Sequence, residues 1–320
     1  MSKSTNTSFQ AHDERFNATN RDYPFAKEAG IYNPITNDLF IASNRCIDPN
    51  GIQKVHITRV NLSQDQVTRE QIPTKIPMAN GGINYGKHHM LFCAQGSMTE
   101  PSGLYRMSMA APYESELLKQ DFFGRPFNSV KDVVVHADGS VWFADPIYGY
   151  EQEYRPTPCL PNQVYWWCPN NECIKAMADR SEWPNGICFS PDEKVVYITD
   201  TDRVHGDDGT IDNQRVSSIC AFDLSISHGE PCLTNCRVFA MADQGIPDGI
   251  KCDLSGNVYS GCGDGINIWS PRGTLLGRIL IGGGVANFCL GRNGEIFALC
   301  KHRLWGVQLG TRVKGVLLGI

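Results

Sequence analysis

Six polar residues, Glu28, Asn80, Lys131, Asn185, Asp248 and Asn287, each open an apolar run, and they are spaced by 52, 51, 54, 63 and 39 positions. Glu28, Asn185 and Asp248 are hard oxygen ligands when brought together, suited to calcium first and to magnesium or manganese next rather than to zinc or copper. A cation held so would polarise a carbonyl oxygen or acidify a bound water, with Asp248 as ligand or general base. Glu28 and Asp248 are therefore candidate catalytic residues, and Lys131, the one cation of the six, is a third. The bland alternative is that polar residues at strand starts merely cap the strands by bonding neighbouring backbone.

These residues converge only if the runs they open stand around one axis. Each run continues into a tight turn and a second apolar run. Val133–His136 leads through Asp138-Gly139 to 141–145, and Ile187–Ser190 leads through Pro191-Asp192 to 195–200. Ile250–Asp253 leads through Ser255-Gly256 to 258–260, and Phe288–Gly291 leads through Asn293-Gly294 to 296–298. Such turns between apolar strands are hairpin signals, and strands apolar on both faces suit sheets packed face to face. A repeat of this length fits one four-stranded blade with its loops. The expected fold is all-β: a six-bladed propeller of four-stranded antiparallel blades around a central channel.

Residues 25–320 make that single domain, and 1–24 form a polar segment able to add a closing edge strand beside the C-terminal sheet. The last blade is expected to use 288–290, 296–299, 304–308 and 313–318. Glu114–Gln120 is the best candidate for a short helix. Glycines after the ring positions allow close backbone approach at the narrow end of each blade.

A net charge of −5 with 41% hydrophobic residues describes a turn-rich globular chain and offers no basic face for nucleic acid or an anionic membrane. No apolar run approaches the ~20 residues of a membrane span, and the first twenty positions lack a signal-peptide core, so the chain as written reads as cytoplasmic. Sequons at Asn6, Asn17 and Asn61 would matter if a signal had been removed and the protein secreted. Thirteen cysteines include Cys93, Cys188, Cys252, Cys289 and Cys300 in apolar stretches, where a thiol acts as a small hydrophobe. Cys168/Cys173 and Cys232/Cys236 have zinc-like spacing but no matching histidines. The 207–213 loop has a calcium-loop composition without its alternating ligands, the glycine runs at 261–265 and 282–284 lack a strand-to-helix context, and no Gly-x-Ser-x-Gly elbow occurs.

Five ordered motifs at blade spacing carry a resemblance: Lys27-Glu28-Ala29-Gly30-Ile31-Tyr32, Phe127–Val135, Trp142–Gly149, Trp183–Glu193 and Ile246–Ile250. Together they resemble the SMP-30/gluconolactonase/lactonohydrolase family, in its fungal form, from about residue 25 onward. That resemblance implies a six-bladed propeller, lactone hydrolysis, and a divalent cation held by Glu28, Asn185 and Asp248, with Asp248 also serving as acid/base. One position departs from the family pattern: Lys131 stands where an Asn is usual. Its ammonium either competes with a cation for Glu28 and Asp248 and serves a substrate carbonyl, or bends away to solvent.

Asn80, Asn287, Asp132, Tyr148, Tyr150, Tyr154 and Trp183 are the candidate substrate-binding residues, the aromatics suiting an apolar, carbonyl-containing small molecule. The leading expectation is a metal-dependent lactonase acting as a monomer or homodimer. The alternative keeps the channel for a metal-independent cyclisation or cycloaddition in secondary metabolism, with Lys131 in place of the metal-site Asn. A non-catalytic binding propeller is a third possibility, weakened by the converging carboxylates.

Overall fold

In the computed structural model, residues 7–10 (backbone), 20, 22–63, 67–178, 181–205 and 209–320 are described. They form a six-bladed β-propeller with one short α-helix, Tyr148–Glu151, and a 3-10 turn at Arg292–Gly294. The innermost strands are Glu28–Asn33, Ala79–Tyr85, Val133–Val135, Pro184–Phe189, Ile250–Cys252 and Asn287–Leu290. Each pairs antiparallel with the run that follows its turn, as the hairpin pattern requires. At Asn293-Gly294 both residues have positive φ, 53° and 81°. That geometry matches the right-handed twist of the flanking strands, and Asn and Gly tolerate it best.

The polar-Gly phrase has a physical reason in the packing. In the first, second and fourth blades the strand register shifts at Ala29/Ile31, Ala79/Gly82 and Pro184/Ile187, beside the ring residue. A bulge there bends the strand and re-aims the polar side chain. The following glycines lie against the next blade. A Cβ on Gly81 would sit 2.5 Å from the Lys131 carbonyl, one on Gly186 2.6 Å from the Asp248 carbonyl, and one on Gly249 2.5 Å from Asn287 Oδ1. The ring is thus braced blade to blade, and no larger side chain fits between.

Aromatic and β-branched side chains fill the spaces between blades, with Phe127, Phe143 and Tyr165 clustered between the second and third. Cys93, Cys188, Cys252 and Cys289 are buried among such residues while Cys300 is partly exposed, and all thirteen cysteines are free thiols. Cys168 and Cys173 face each other across one hairpin.

Three local expectations change. Ser115–Lys119 is the outer strand of the second blade rather than a helix, because pairing with Gly103–Ser108 outweighs the helix propensity of its Glu, Leu and Lys residues. The sixth sheet has three strands, Asn287–Leu290, Glu295–Cys300 and Arg303–Gln308. The 313–318 segment crosses the base instead, where Val316 N–H donates to the Cys252 carbonyl at 3.0 Å. The strand at Thr7–Gln10 runs parallel to Leu275–Leu280 on the fifth blade, not beside the sixth. What closes the ring near the sixth blade is Ala26 N–H on the Lys301 carbonyl, at 2.8 Å.

Candidate active site

A cavity of about 370 Å³ opens at one mouth of the channel, lined by Glu28, Asn80, Lys131, Asn185 and Asp248 among others. Five of the six ring residues therefore share one space. The sixth, Asn287, joins through its amide, which donates to Glu28 Oε2 at 3.3 Å.

Lys131 points inward, and its Nζ lies 2.6 Å from Glu28 Oε1, both side chains being almost fully buried. Burial alone would drive both groups toward neutrality, and their pairing reverses this. Burial raises the Glu28 carboxyl but the Lys131 and Lys27 ammoniums outweigh it and hold it low. Burial likewise pulls Lys131 down, but Glu28 and Asp248 carry it well up. Both stay charged. Lys27, which sequence reasoning passed over, brings a second ammonium 3.5 Å from Asp248 Oδ2 and 3.8 Å from Glu28 Oε1. Its signal was its place immediately before Glu28 in the opening phrase.

Asp248 differs from Glu28. Burial raises its carboxyl, opposed by Lys27 and reinforced by the Glu28 charge, and its Oδ1 is buried without a hydrogen-bond partner among the described residues. Asn80 Oδ1 is a second buried acceptor without one. Two unsatisfied acceptors at a cavity wall call for donors from a bound molecule or water.

The aromatic candidates separate. Tyr148 lines the cavity, its ring 6.0 Å from Lys131 Nζ, and its hydroxyl bonds Thr201 Oγ1. Tyr154 donates at 2.8 Å to Gln95 Oε1, and Gln95 is a lining residue. Tyr150 is 46% exposed. Trp183 is half-buried outside the lining set, its backbone N–H held by Asp200 Oδ1. Asp132 is turned away from Lys131, between the backbone of Ile187 and Lys251 Nζ, which is 3.9 Å from its Oδ2.

The loop carrying Tyr148 and Tyr154 is held by residues of the Phe127–Ser129 motif. Asp145 accepts the N–H groups of Asn128 and Ser129 at 2.9 and 2.8 Å, and the Ser129 hydroxyl receives the Gly149 N–H. Buried Arg155 donates to the carbonyls of Phe127, Asn128, Ser97 and Glu100. Burial raises the Asp145 carboxyl to about 7, against these backbone donors. Since the folded value lies above the unfolded one, the folded state binds this proton more tightly, so stability falls as pH rises from ~4 to ~7. Asp145→Asn should flatten that fall in thermal melts across this range, at the cost of a lost N–H acceptor.

A divalent cation among Glu28, Asn185 and Asp248 would have to share Glu28 with the Lys131 ammonium and sit against a like charge. As arranged, the donor set does not fit it, because both Glu28 oxygens are engaged and Lys27 and Lys131 already balance the two carboxylates. Among the described residues no group of three His, Cys, Asp or Glu side chains is placed to hold a metal.

An all-β ring of six blades with carboxylates, amides and an ammonium converging at one mouth defines a propeller built around a polar channel. The chain belongs to the SMP-30/Gluconolactonase/LRE-like family, whose model matches residues 51–296. It is 25% identical over 311 residues to the lactonohydrolase oryL of Aspergillus oryzae, covering 89% of this chain and 68% of that one. It is 30% identical over 209 residues to the gluconolactonase of Zymomonas mobilis, covering 62% of this chain but only 55% of the relative's length. A gluconolactonase structure from Xanthomonas campestris superposes with a TM-score of 0.71 at 24% identity, covering 93% of this chain and 94% of that one. A calcium-binding regucalcin from Agrobacterium tumefaciens does so at 0.66 and 16%, covering 97% of each chain. At these identities the structural likeness shows the fold.

Proposed function

We propose that the protein is a hydrolase that opens a lactone or related cyclic ester in the channel, using the Lys131 ammonium where the family resemblance implies a divalent cation. The observation carrying this reading is the buried Lys131–Glu28 pair at 2.6 Å beside Asp248, whose Oδ1 has no hydrogen-bond partner among the described residues. The names of its relatives, lactonohydrolase and gluconolactonase, supply the reaction class.

In this reading the substrate carbonyl enters over Lys131, which donates a hydrogen bond to its oxygen while Glu28 keeps the ammonium in place. Asp248 Oδ1 accepts a proton from a water as that water's oxygen bonds to the carbonyl carbon. The developing oxyanion is met by Lys131, with the Asn80 and Asn185 amides facing the same cavity. Collapse breaks the ring C–O bond, and Asp248 returns its proton to the departing alkoxide. Tyr148 supplies an apolar wall.

The same pair favours a second reading, a non-hydrolytic cyclisation or cycloaddition, because a fixed cation and buried carboxylates can bias a reactive carbonyl compound without adding water. Turnover of a lactone panel in ¹⁸O-water separates the two. Hydrolysis puts the label in the product acid, and activity should survive exhaustive chelation. Loss of activity on chelation, restored by calcium, would overturn the role given to Lys131.

A further inference from the structure

At the opposite mouth lies a second cavity of about 300 Å³, closed by the 315–320 segment and lined by Val133, Ile187, Cys188, Cys252, Cys289 and Val316 among others. Two of its thiols touch: Cys188 Sγ is 3.6 Å from Cys252 Sγ, with the residues 5% and 3% exposed. They stand on the innermost strands of adjacent blades, Pro184–Phe189 and Ile250–Cys252, which no sheet hydrogen bonding joins. The close approach follows from Gly186, which admits the backbone of the fifth blade. The other neighbouring cysteines, Cys168 with Cys173 and Cys220 with Cys236, lie on paired strands within one blade.

We infer that Cys188 and Cys252 form an oxidisable pair whose disulfide staples the fourth and fifth blades at the closed end of the channel. The oxidant is a peroxide, a molecule small beside a cavity of about 300 Å³. The bond to Cys188 and burial push the Cys252 thiol well up, so the first attack is assigned to the Cys188 sulfur. Its sulfur bonds to one peroxide oxygen, the O–O bond breaks, and the departing hydroxide takes a proton as water. The resulting Cys188 sulfenic acid is attacked by Cys252 sulfur, the S–O bond breaks, and hydroxide leaves with the Cys252 proton as a second water. Two thiols are oxidised and one peroxide is reduced. The staple lies three positions beyond Asn185 and four beyond Asp248 on the same chain runs, so it fixes the spacing of the strands that carry them.

The test treats folded protein with hydrogen peroxide, blocks remaining thiols in denaturant, and maps the peptides. A linked Cys188–Cys252 peptide is expected, together with a melting temperature higher by about 5 °C for a bond closing 64 residues, reversed by a dithiol reductant. Cys188→Ala, melting near the reduced wild type, should lose both effects, and Cys252→Ala should leave a trappable sulfenic acid at Cys188. Linkage confined to Cys168–Cys173 or Cys220–Cys236, or oxidation of Cys188 to sulfinic acid in the wild type, would overturn the inference.

Discussion

Lys131→Met is expected to destabilise the fold by about 3–5 kcal/mol, because it strands the buried Glu28 carboxylate without its 2.6 Å partner. On any lactone the protein opens, it should also lower kcat by a factor of ~10²–10³, the usual loss on removing one donor to a developing oxyanion. Denaturant unfolding reads the first and steady-state kinetics the second. Lys27, 24% exposed and 3.8 Å from Glu28, is too distant and too solvated to substitute. Lys131→Asn makes the complementary case. It frees Glu28 Oε1 and places a neutral amide in the ring, so calcium should raise the melting temperature of this variant and leave the wild type unmoved. Equal calcium response in both proteins would show that the ammonium does not exclude the ion.

Gly186→Ala should cost about 3 kcal/mol, near the upper end of overpacking penalties, because its Cβ would meet the Asp248 carbonyl at 2.6 Å and backbone cannot swing aside. The fourth and fifth blades would separate at the level of Asn185 and Asp248, so kcat should fall together with stability. Gly282→Ala is the control. It has open space and no positive φ, so it should unfold within about 0.5 kcal/mol of wild type. If the two variants unfold alike, the blade-to-blade bracing at Gly186 carries no energy.

The inner half of each blade was legible because its signals are local. An apolar run, an Asp-Gly or Asn-Gly turn and a second apolar run declare a hairpin at 133–145 as at 288–298. The outer strands were harder. Ser115–Lys119 alternates weakly and sits half in solvent, so only its partner strand decides its conformation. Convergence of the ring could be inferred from the repeat, but the inward turn of Lys131 could not, since its partner lies 103 positions away and its stem reaches solvent as easily. Lys27 was missed for a related reason: its neighbour Asp248 is 221 positions distant. Asp132 beside Lys131 invited a shared role, yet it pairs toward Lys251, away from the cavity.

In the proposed reaction, the inward turn of Lys131 also changes what the channel depends on. A positive charge borrowed from the medium can be diluted away, outcompeted or exchanged for another ion, whereas one borne on a side chain is present in every folded copy. Its concentration is that of the protein itself, and it is lost by mutation, chemical modification or deprotonation of one amine.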